Sequence, residues 1–96
     1  MSYVVIATWR AKPGQADHIR KILETLTPIS RAEPKVLSYQ AHISLTDPDL
    51  FVMVEKYTDP SGYEDHRASE PFQSYVVGEA LPNLAERNVQ AFEDIG

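Results

Sequence analysis

Two side chains near the middle of the sequence, His66 and Glu55, have the chemistry of a proton-transfer site. His66 lies in the stretch YEDHRASEPF (residues 63–72), one helical turn after a tyrosine and just before a helix break and a phenylalanine. Histidine is the natural proton acceptor because its unperturbed pKa lies near neutrality. Glu55 could orient that imidazole, or act as the base itself if burial raises the pKa of its carboxyl group. Both side chains are therefore candidates for a catalytic role.

Both residues also have a purely structural interpretation. A lone histidine on an amphipathic helix commonly caps a carbonyl group or contacts solvent. Glu55 stands in an otherwise aromatic and apolar row within FVMVEKY and could form a buried ion pair instead. The candidate partners for such a pair are Arg10, Arg67 and Arg87. The residue types alone leave both interpretations open.

Five aromatic residues are candidates for holding a flat, apolar substrate between a sheet and its helices. They are Trp9, Tyr39, Tyr57, Phe72 and Tyr75. Ligand pockets are lined mainly by apolar and aromatic side chains with a few polar groups among them. Aromatic residues at strand spacing in so small a protein are also typical core residues. We expect only part of this set to contact a ligand.

Other kinds of site find no support in the residue pattern. The chain has no cysteine, and its three histidines lack the spacing of a metal site. The four glycines are isolated, so no phosphate-binding loop is predicted. No serine lies in a Gly-x-Ser-x-Gly turn. These residues therefore predict no metal site, no phosphate-binding loop and no serine nucleophile.

Composition narrows the class of protein further. The 96 residues are expected to form one domain, residues 1–96, with a single modest core. The net charge is −5 and the two signs are interspersed, so nothing resembles the basic stripe of a nucleic-acid-binding protein. No signal peptide or membrane-spanning run is apparent, and a cytoplasmic protein without membrane contact is expected.

The spacing of apolar residues alternates between the periods of strands and helices. Strands are predicted over residues 3–10, 36–45, 50–57 and 87–95, with Leu37 and Tyr39 on one face of the second. A first helix begins at Gln15, and Pro28 is expected to interrupt it or to open a second turn. A second helix runs from Pro60 to about Ser69 with Asp59 as its N-cap, and a third begins at Phe72.

This β-α-β-β-α-β order predicts a ferredoxin-like α+β fold, a four-stranded antiparallel sheet with helices on one face. Both faces of the first strand are mostly apolar, so each must be covered. The helices cover one face, and a second copy of the chain is the economical cover for the other. We therefore expect a homodimer that forms through the sheet face.

The segment FVMVEKYTDPSGYEDHRASEPFQSYV (51–76) resembles the antibiotic biosynthesis monooxygenase family of small dimeric α+β barrel proteins. The similar features are a strand ending in Glu-x-Tyr, an acidic turn, a helix with histidine and serine, and a second helix that starts with an aromatic residue. In this chain they are Glu55-Lys56-Tyr57, Asp59-Pro60, His66, Ser69 and Phe72. Residues 12–23 and 28–40 also match, except that Lys35 replaces a common glycine. The resemblance spans about residues 3 to 93.

The resemblance implies an enzyme, because members of the family include quinol and polyketide monooxygenases, haem-degrading enzymes and an isomerase. The haem-degrading branch requires an asparagine on the first strand, a tryptophan on the helix and an axial histidine on the next helix. The corresponding positions hold Ala7, His66 and Val76. All three differ, so haem chemistry is not expected.

Three functional hypotheses follow. The first is a monooxygenase without flavin, haem or metal that oxidises a quinol or related phenolic or polyketide aromatic with molecular oxygen. The second is an isomerase of a small hydroxy-dione, which clustered arginines at the pocket mouth would favour. The third is a non-catalytic dimeric module that binds small molecules or responds to stress. A cavity filled by its own aromatic side chains would favour this last hypothesis.

Overall fold

The computed structural model describes all residues, 1–96, as a four-stranded antiparallel sheet with helices on one face. The strand order is β2-β3-β1-β4, which confirms the ferredoxin-like prediction. None of the helices is long and apolar enough to cross a membrane. The elements in chain order are β1 (Tyr3–Ala11), α1 (Ala16–Arg31), β2 (Val36–Ile43), β3 (Leu50–Tyr57), α2 (Pro60–Ala68), α3 (Phe72–Ala80), a short 3₁₀ turn (Leu81–Asn83) and β4 (Leu84–Glu93).

The core lies between the sheet and the helices. Alternate residues of β3 point into it, namely Phe51, Met53, Glu55 and Tyr57, as the alternation in the sequence predicts. Buried residues of α1 and α3, such as Leu26 and Val76, pack against the same side. The opposite side, called here the open sheet face, carries Val4, Ile6, Val52 and Val54 and has no helix over it.

Helix α1 is continuous through Pro28, where the sequence favoured an interruption. A proline inside a helix removes one backbone donor and is normally unfavourable. Pro28 is exposed, and so is Glu24, whose carbonyl loses its usual partner. The buried row of Ile22, Leu26 and Ser30 continues across the proline. Packing of that row against the sheet outweighs the local penalty.

A β-bulge in β2 turns the side chain of Leu37 away from the sheet face that the sequence predicts for it. Val36 pairs with Tyr57 and Ser38 pairs with Lys56, so Leu37 is an extra residue without a partner. Leu37 is therefore 57% exposed instead of sharing the buried face of Tyr39, as the plain alternation predicts. The strand also ends at Ile43, two residues earlier than predicted.

Helix α2 is positioned by its two ends and by one close contact. The Asp59 side chain accepts a hydrogen bond from the Ser61 backbone N–H at 2.8 Å, as an N-cap should. Gly62 lets α2 lie close to the sheet, since a Cβ there would stand 3.0 Å from Cβ of Lys35 and of Tyr57. The helix ends before Ser69, whose backbone is extended, in agreement with the prediction.

Helix α3 is wound as a π-helix, which the spacing of residues did not predict. Its last turn is closed by a bond from the Leu81 N–H to the Val76 carbonyl, five residues earlier. The buried residues of α3 are Phe72, Val76 and Ala80, spaced four apart, whereas Tyr75 is only half-buried.

Candidate functional site

His66 is buried in the protein interior with three aromatic rings around it. Its residue exposure is 2%, and it projects from α2 toward β2 and β3. The centroids of the Tyr39, Tyr57 and Phe72 rings lie 5.7, 6.0 and 5.2 Å from the imidazole centroid. The Ser69 hydroxyl donates to the His66 carbonyl and accepts from the Phe72 N–H, which fixes the kink between α2 and α3.

Two carboxyl groups face the two nitrogens of the imidazole. Oε1 of Glu33, in the connection between α1 and β2, lies 2.9 Å from Nδ1. Oε1 of Glu55, on β3, lies 3.9 Å from Nε2. The first distance is that of a hydrogen bond, whereas the second is too long for one. His66, Glu33, Glu55, Tyr39, Tyr57 and Phe72 are called the His66 cluster below.

Glu55 is a buried carboxyl group whose proton affinity is raised. The residue is 4% exposed, and burial raises the pKa of its carboxyl group from 4.5 to about 7. The Tyr57 hydroxyl opposes this by donating a hydrogen bond to Oε1 at 2.5 Å, while the charge of Glu33 adds to the increase. A carboxyl group with this pKa can both accept and release a proton near neutral pH.

The two tyrosines of the cluster are held as neutral phenols. Burial raises the pKa of Tyr39 and of Tyr57, and the nearby charge of Glu55 raises both further. A phenol that keeps its proton acts as a hydrogen-bond donor and not as a base. Tyr39 and Tyr57 are therefore excluded as bases of the cluster near neutral pH.

The structure brings together five of the seven residues selected from the sequence: His66, Glu55, Tyr39, Tyr57 and Phe72. Trp9 does not join them. It is four residues along β1 from Val5, the partner of Glu55, which corresponds to roughly 13 Å along the strand. Tyr75 is half-buried against the core, without ring contact to His66.

None of the three arginines considered as partners of Glu55 forms an ion pair with it. Arg10 instead binds Asp47 at 2.6 Å, near the opposite end of β1. Arg67 lies over the Tyr63 ring, with 4.7 Å between its guanidinium carbon and the ring centroid. Arg87 is exposed on β4 and only lowers the pKa of Glu55 through its charge. The arginines therefore do not gather at His66.

The aromatic side chains fill the space around His66, where the sequence suggested a pocket. One surface cavity, about 460 Å³, lies between α1 and β2 and is lined by side chains such as Arg20, Arg31 and His42. A second, about 200 Å³, lies near the chain termini. Neither of these is lined by a residue of the His66 cluster. His66 and Glu55 are 2% and 4% exposed, so the centre of the candidate site is closed in this conformation.

Glu33 is the member of the cluster that the sequence did not reveal. Glu33 lies in the connection after α1, and it is 33 positions from His66 in the sequence. No spacing rule links a connection and a helix that are so far apart. No group of three or more histidine, cysteine, aspartate or glutamate side chains has the arrangement of a metal site.

Residues 2–77 match the model of a known protein family, which is described as antibiotic biosynthesis monooxygenase. The chain belongs to the antibiotic biosynthesis monooxygenase family. This match confirms the resemblance found in the segment that carries Glu55 and His66. No curated protein sequence matches the chain.

Solved structures similar to this family member share its fold over almost the whole chain. PA3566 from Pseudomonas aeruginosa is 29% identical, with a TM-score of 0.91 over 99% of this chain and 95% of its own. A crystal structure of an antibiotic biosynthesis monooxygenase is 25% identical, with a TM-score of 0.90 and coverage of 98% and 99%. Rv0793 from Mycobacterium tuberculosis, at 22% identity and a TM-score of 0.91, covers 100% and 97% and supports the fold alone.

Proposed function

We propose that this family member is a cofactor-independent monooxygenase that oxidises a quinol or related phenolic or polyketide aromatic with molecular oxygen. The observation that carries the proposal is the buried imidazole of His66 beside the Glu55 carboxyl group, inside an enclosure of three aromatic rings. A single domain over residues 1–96 and a cytoplasmic location belong to the same proposal.

The reaction asks the protein mainly for proton transfer in an apolar site. His66 takes the phenolic proton at Nε2, and the resulting electron-rich anion passes an electron to oxygen. Oxygen adds to a ring carbon that carried a C–H bond. This carbon and the carbon that carried the phenolic O–H then become the two carbonyl carbons of the product. One oxygen atom of O₂ ends in the product and the other leaves as water, so no external reductant is required.

Glu55 is proposed to receive or return protons during the same cycle. Its pKa of about 7 makes both directions accessible at neutral pH. The Tyr57 hydroxyl keeps this carboxyl group oriented by donating to Oε1. Perturbed carboxyl groups occur preferentially at functional sites, although buried structural networks perturb them as well.

The aromatic residues are proposed to hold the substrate ring. Tyr39, Tyr57 and Phe72 contact His66 and would face the reacting ring directly. Trp9 and Tyr75 lie farther away and would contact only the distal part of a polycyclic substrate. Entry requires a cover to move, and Phe72 on the π-helix α3 is the proposed cover, since π-helical turns frequently occur at functional sites.

The partner in solution is proposed to be a second copy of the chain, packed on the open sheet face. Ile6 and Val54 are paired neighbours at the centre of this face, and Phe92 on β4 is 43% exposed. Apolar side chains grouped on an uncovered sheet favour sheet-on-sheet packing. Closed two-fold symmetry is the commonest arrangement of identical chains.

The dimer is tested by replacing one valine on each side of the protein. Val54→Lys puts a charge on the open sheet face and is expected to give a monomer by light scattering or sedimentation. Val77→Lys makes the same change on α3, where Val77 is 43% exposed, and is expected to leave the dimer intact. A monomeric wild-type protein, or a dimeric Val54→Lys variant, would contradict the proposed interface.

A second candidate function is a non-catalytic module that binds a small molecule. The filled enclosure around His66 favours it, because a catalytic pocket is usually open to its substrate before binding. The isomerase hypothesis has less support. Its expected cluster of arginines does not form at His66, since Arg10 pairs with Asp47 and Arg67 lies on Tyr63.

Oxygen consumption by the purified protein decides between these functions. Reduced naphthoquinols and polyphenols serve as substrates, and reactions without protein correct for autoxidation. His66→Gln is expected to lower catalysed uptake by about 10²- to 10⁴-fold, the usual contribution of a general base. His18→Ala, a change at an exposed histidine of α1, is the matched control and should keep full activity.

Three results would change the assignment. Uptake that survives in a folded His66→Gln variant would remove His66 as the base and leave Glu55 in its place. No catalysed uptake with any substrate would favour the binding module, and equilibrium binding of the same aromatics would then be measured. Conversion of a hydroxy-dione without oxygen consumption would favour the isomerase.

A further inference from the structure

We propose that Glu33 is a positioning residue, which holds the His66 imidazole in the tautomer with hydrogen on Nδ1 and a free lone pair on Nε2. This tautomer directs the basic nitrogen toward Glu55 and the centre of the cluster. The catalytic meaning of the inference rests on the proposed function. The tautomer itself does not, and it can be measured separately.

The distances around the ring support the assignment. Nδ1 lies 2.9 Å from Oε1 of Glu33, and a carboxylate is only an acceptor, so Nδ1 must carry the hydrogen. Nε2 lies 3.9 Å from Oε1 of Glu55, beyond hydrogen-bond distance. That oxygen already accepts a hydrogen bond from Tyr57. In the neutral ring, Nε2 is therefore left as an uncommitted acceptor.

The groups that face His66 come from four parts of the fold. The titratable ones are Glu33 after α1, Tyr39 on β2, and Glu55 and Tyr57 on β3; α3 contributes only the apolar Phe72. Only Glu33 is within hydrogen-bond distance of a ring nitrogen. The tautomer consequently depends on this one contact, since the hydrogen bond at one nitrogen decides which form the other presents.

The connection that carries Glu33 is itself held by four hydrogen bonds. The Glu33 N–H donates to the Ser30 carbonyl at the end of α1, and the Val36 N–H donates to the Glu33 carbonyl. The neighbouring Lys35 donates to the Ser61 hydroxyl on α2 at 2.8 Å. Lys35 also accepts from the Thr58 N–H through its carbonyl. Glu33 is thus presented to His66 by a fixed backbone and not by a free loop.

Nitrogen-15 NMR of the histidine rings tests the inference directly, because protonated and unprotonated ring nitrogens give distinct signals. The ring signals of His66 are identified as those that are missing from the spectrum of the His66→Gln variant. The wild-type neutral ring is expected to carry hydrogen on Nδ1. Glu33→Ala should lose this preference. Glu33→Gln should keep part of it, because its amide oxygen can still accept a hydrogen bond. Glu70→Gln, a change at an exposed site, should leave the tautomer as it is in the wild type.

Activity provides the second readout. Glu33→Ala is expected to lower kcat by about 10- to 100-fold, the loss that is usual when a group that orients a metal-bound histidine is removed. KM should change little, since the hydrogen bond of the Glu33 side chain is to the His66 imidazole, whereas the aromatic rings are proposed to hold the substrate. Glu33→Gln should recover part of the loss. Glu33→Ala should also change the pH dependence of kcat, which Glu70→Gln should not.

Three NMR results would overturn the inference. The first is a wild-type neutral ring with hydrogen on Nε2, and the second is a ring that stays doubly protonated up to about pH 9. The third is a Glu33→Ala variant with an unchanged tautomer. Absence of oxygen uptake by the wild-type protein would refute the proposed function alone, because the NMR result would still decide the role of Glu33.

Discussion

Replacement of Glu55 by glutamine should change how the stability of the protein depends on pH. Burial raises the pKa of this carboxyl group from 4.5 to about 7, so the folded protein binds the proton more tightly than the unfolded chain. The stability contributed by this proton is complete below pH 4.5 and is lost as the pH rises through about 7. Above that, the folded state must bury the ionised carboxylate.

The magnitude follows from the width of this pH window. A difference of one pKa unit corresponds to about 1.36 kcal/mol, so the wild-type protein should lose about 3 kcal/mol across the window. Glutamine has nearly the shape of the protonated carboxyl group, does not titrate, and can still accept from Tyr57. The stability of Glu55→Gln relative to wild type should therefore increase by about 3 kcal/mol between acidic and mildly alkaline pH.

Urea unfolding at a series of pH values and one fixed protein concentration measures this difference. Glu64→Gln removes a carboxyl group from an exposed position on α2, and its stability relative to wild type should stay nearly constant over the same range. The reasoning is refuted if the Glu55→Gln difference is equally flat. In that case the Glu55 carboxyl group would ionise in the folded protein as it does in water.

Three further substitutions test the packing that positions the site, each by urea unfolding. Pro28→Ala restores a backbone donor within α1 and should stabilise the protein by about 1–3 kcal/mol. An unchanged midpoint of urea unfolding would show that the helix accommodates Pro28 without a cost. Gly62→Ala brings a Cβ to 3.0 Å from Lys35 and Tyr57 and should destabilise by about 1–3 kcal/mol, whereas a neutral result would mean that α2 shifts freely. Asp59→Ala removes the N-cap of α2 and should destabilise the protein by about 1 kcal/mol. Asp59→Asn should retain most of this stability, and equal losses in the two variants would argue against the cap.

The order of the elements could be predicted because it depends on local patterns. The alternation in β3 and the cap at Asp59 each involve residues close together in the chain, and both appear in the structure as expected. Pro28 and Leu37 were misjudged because tertiary packing and a bulge overrode the local rule. Those effects depend on partners far away in the sequence, which periodicity does not reveal.

The candidate site was predictable only where the face of an element decided the position of a residue. The strand alternation placed Glu55 and Tyr57 together, and the helical phase of α2 turned His66 toward them. Trp9 shares the face but lies too far along β1, and strand phase does not give that distance. Glu33 was missed because a residue in a connection lies outside the helix and strand periodicities, which alone predict the direction of a side chain.

The bulge in β2 also affects how the protein behaves at high concentration. β2 is an outer strand, and an outer strand with free backbone groups is a template for aggregation. Here Leu37 breaks the regular ladder of hydrogen bonds. Arg31 also donates to the Tyr39 carbonyl at 2.9 Å, so a side chain of the same molecule occupies an acceptor that a strand of another molecule would need. Growth of the sheet from molecule to molecule is thereby hindered at this edge, which favours the proposed dimer through the open sheet face as the route of association.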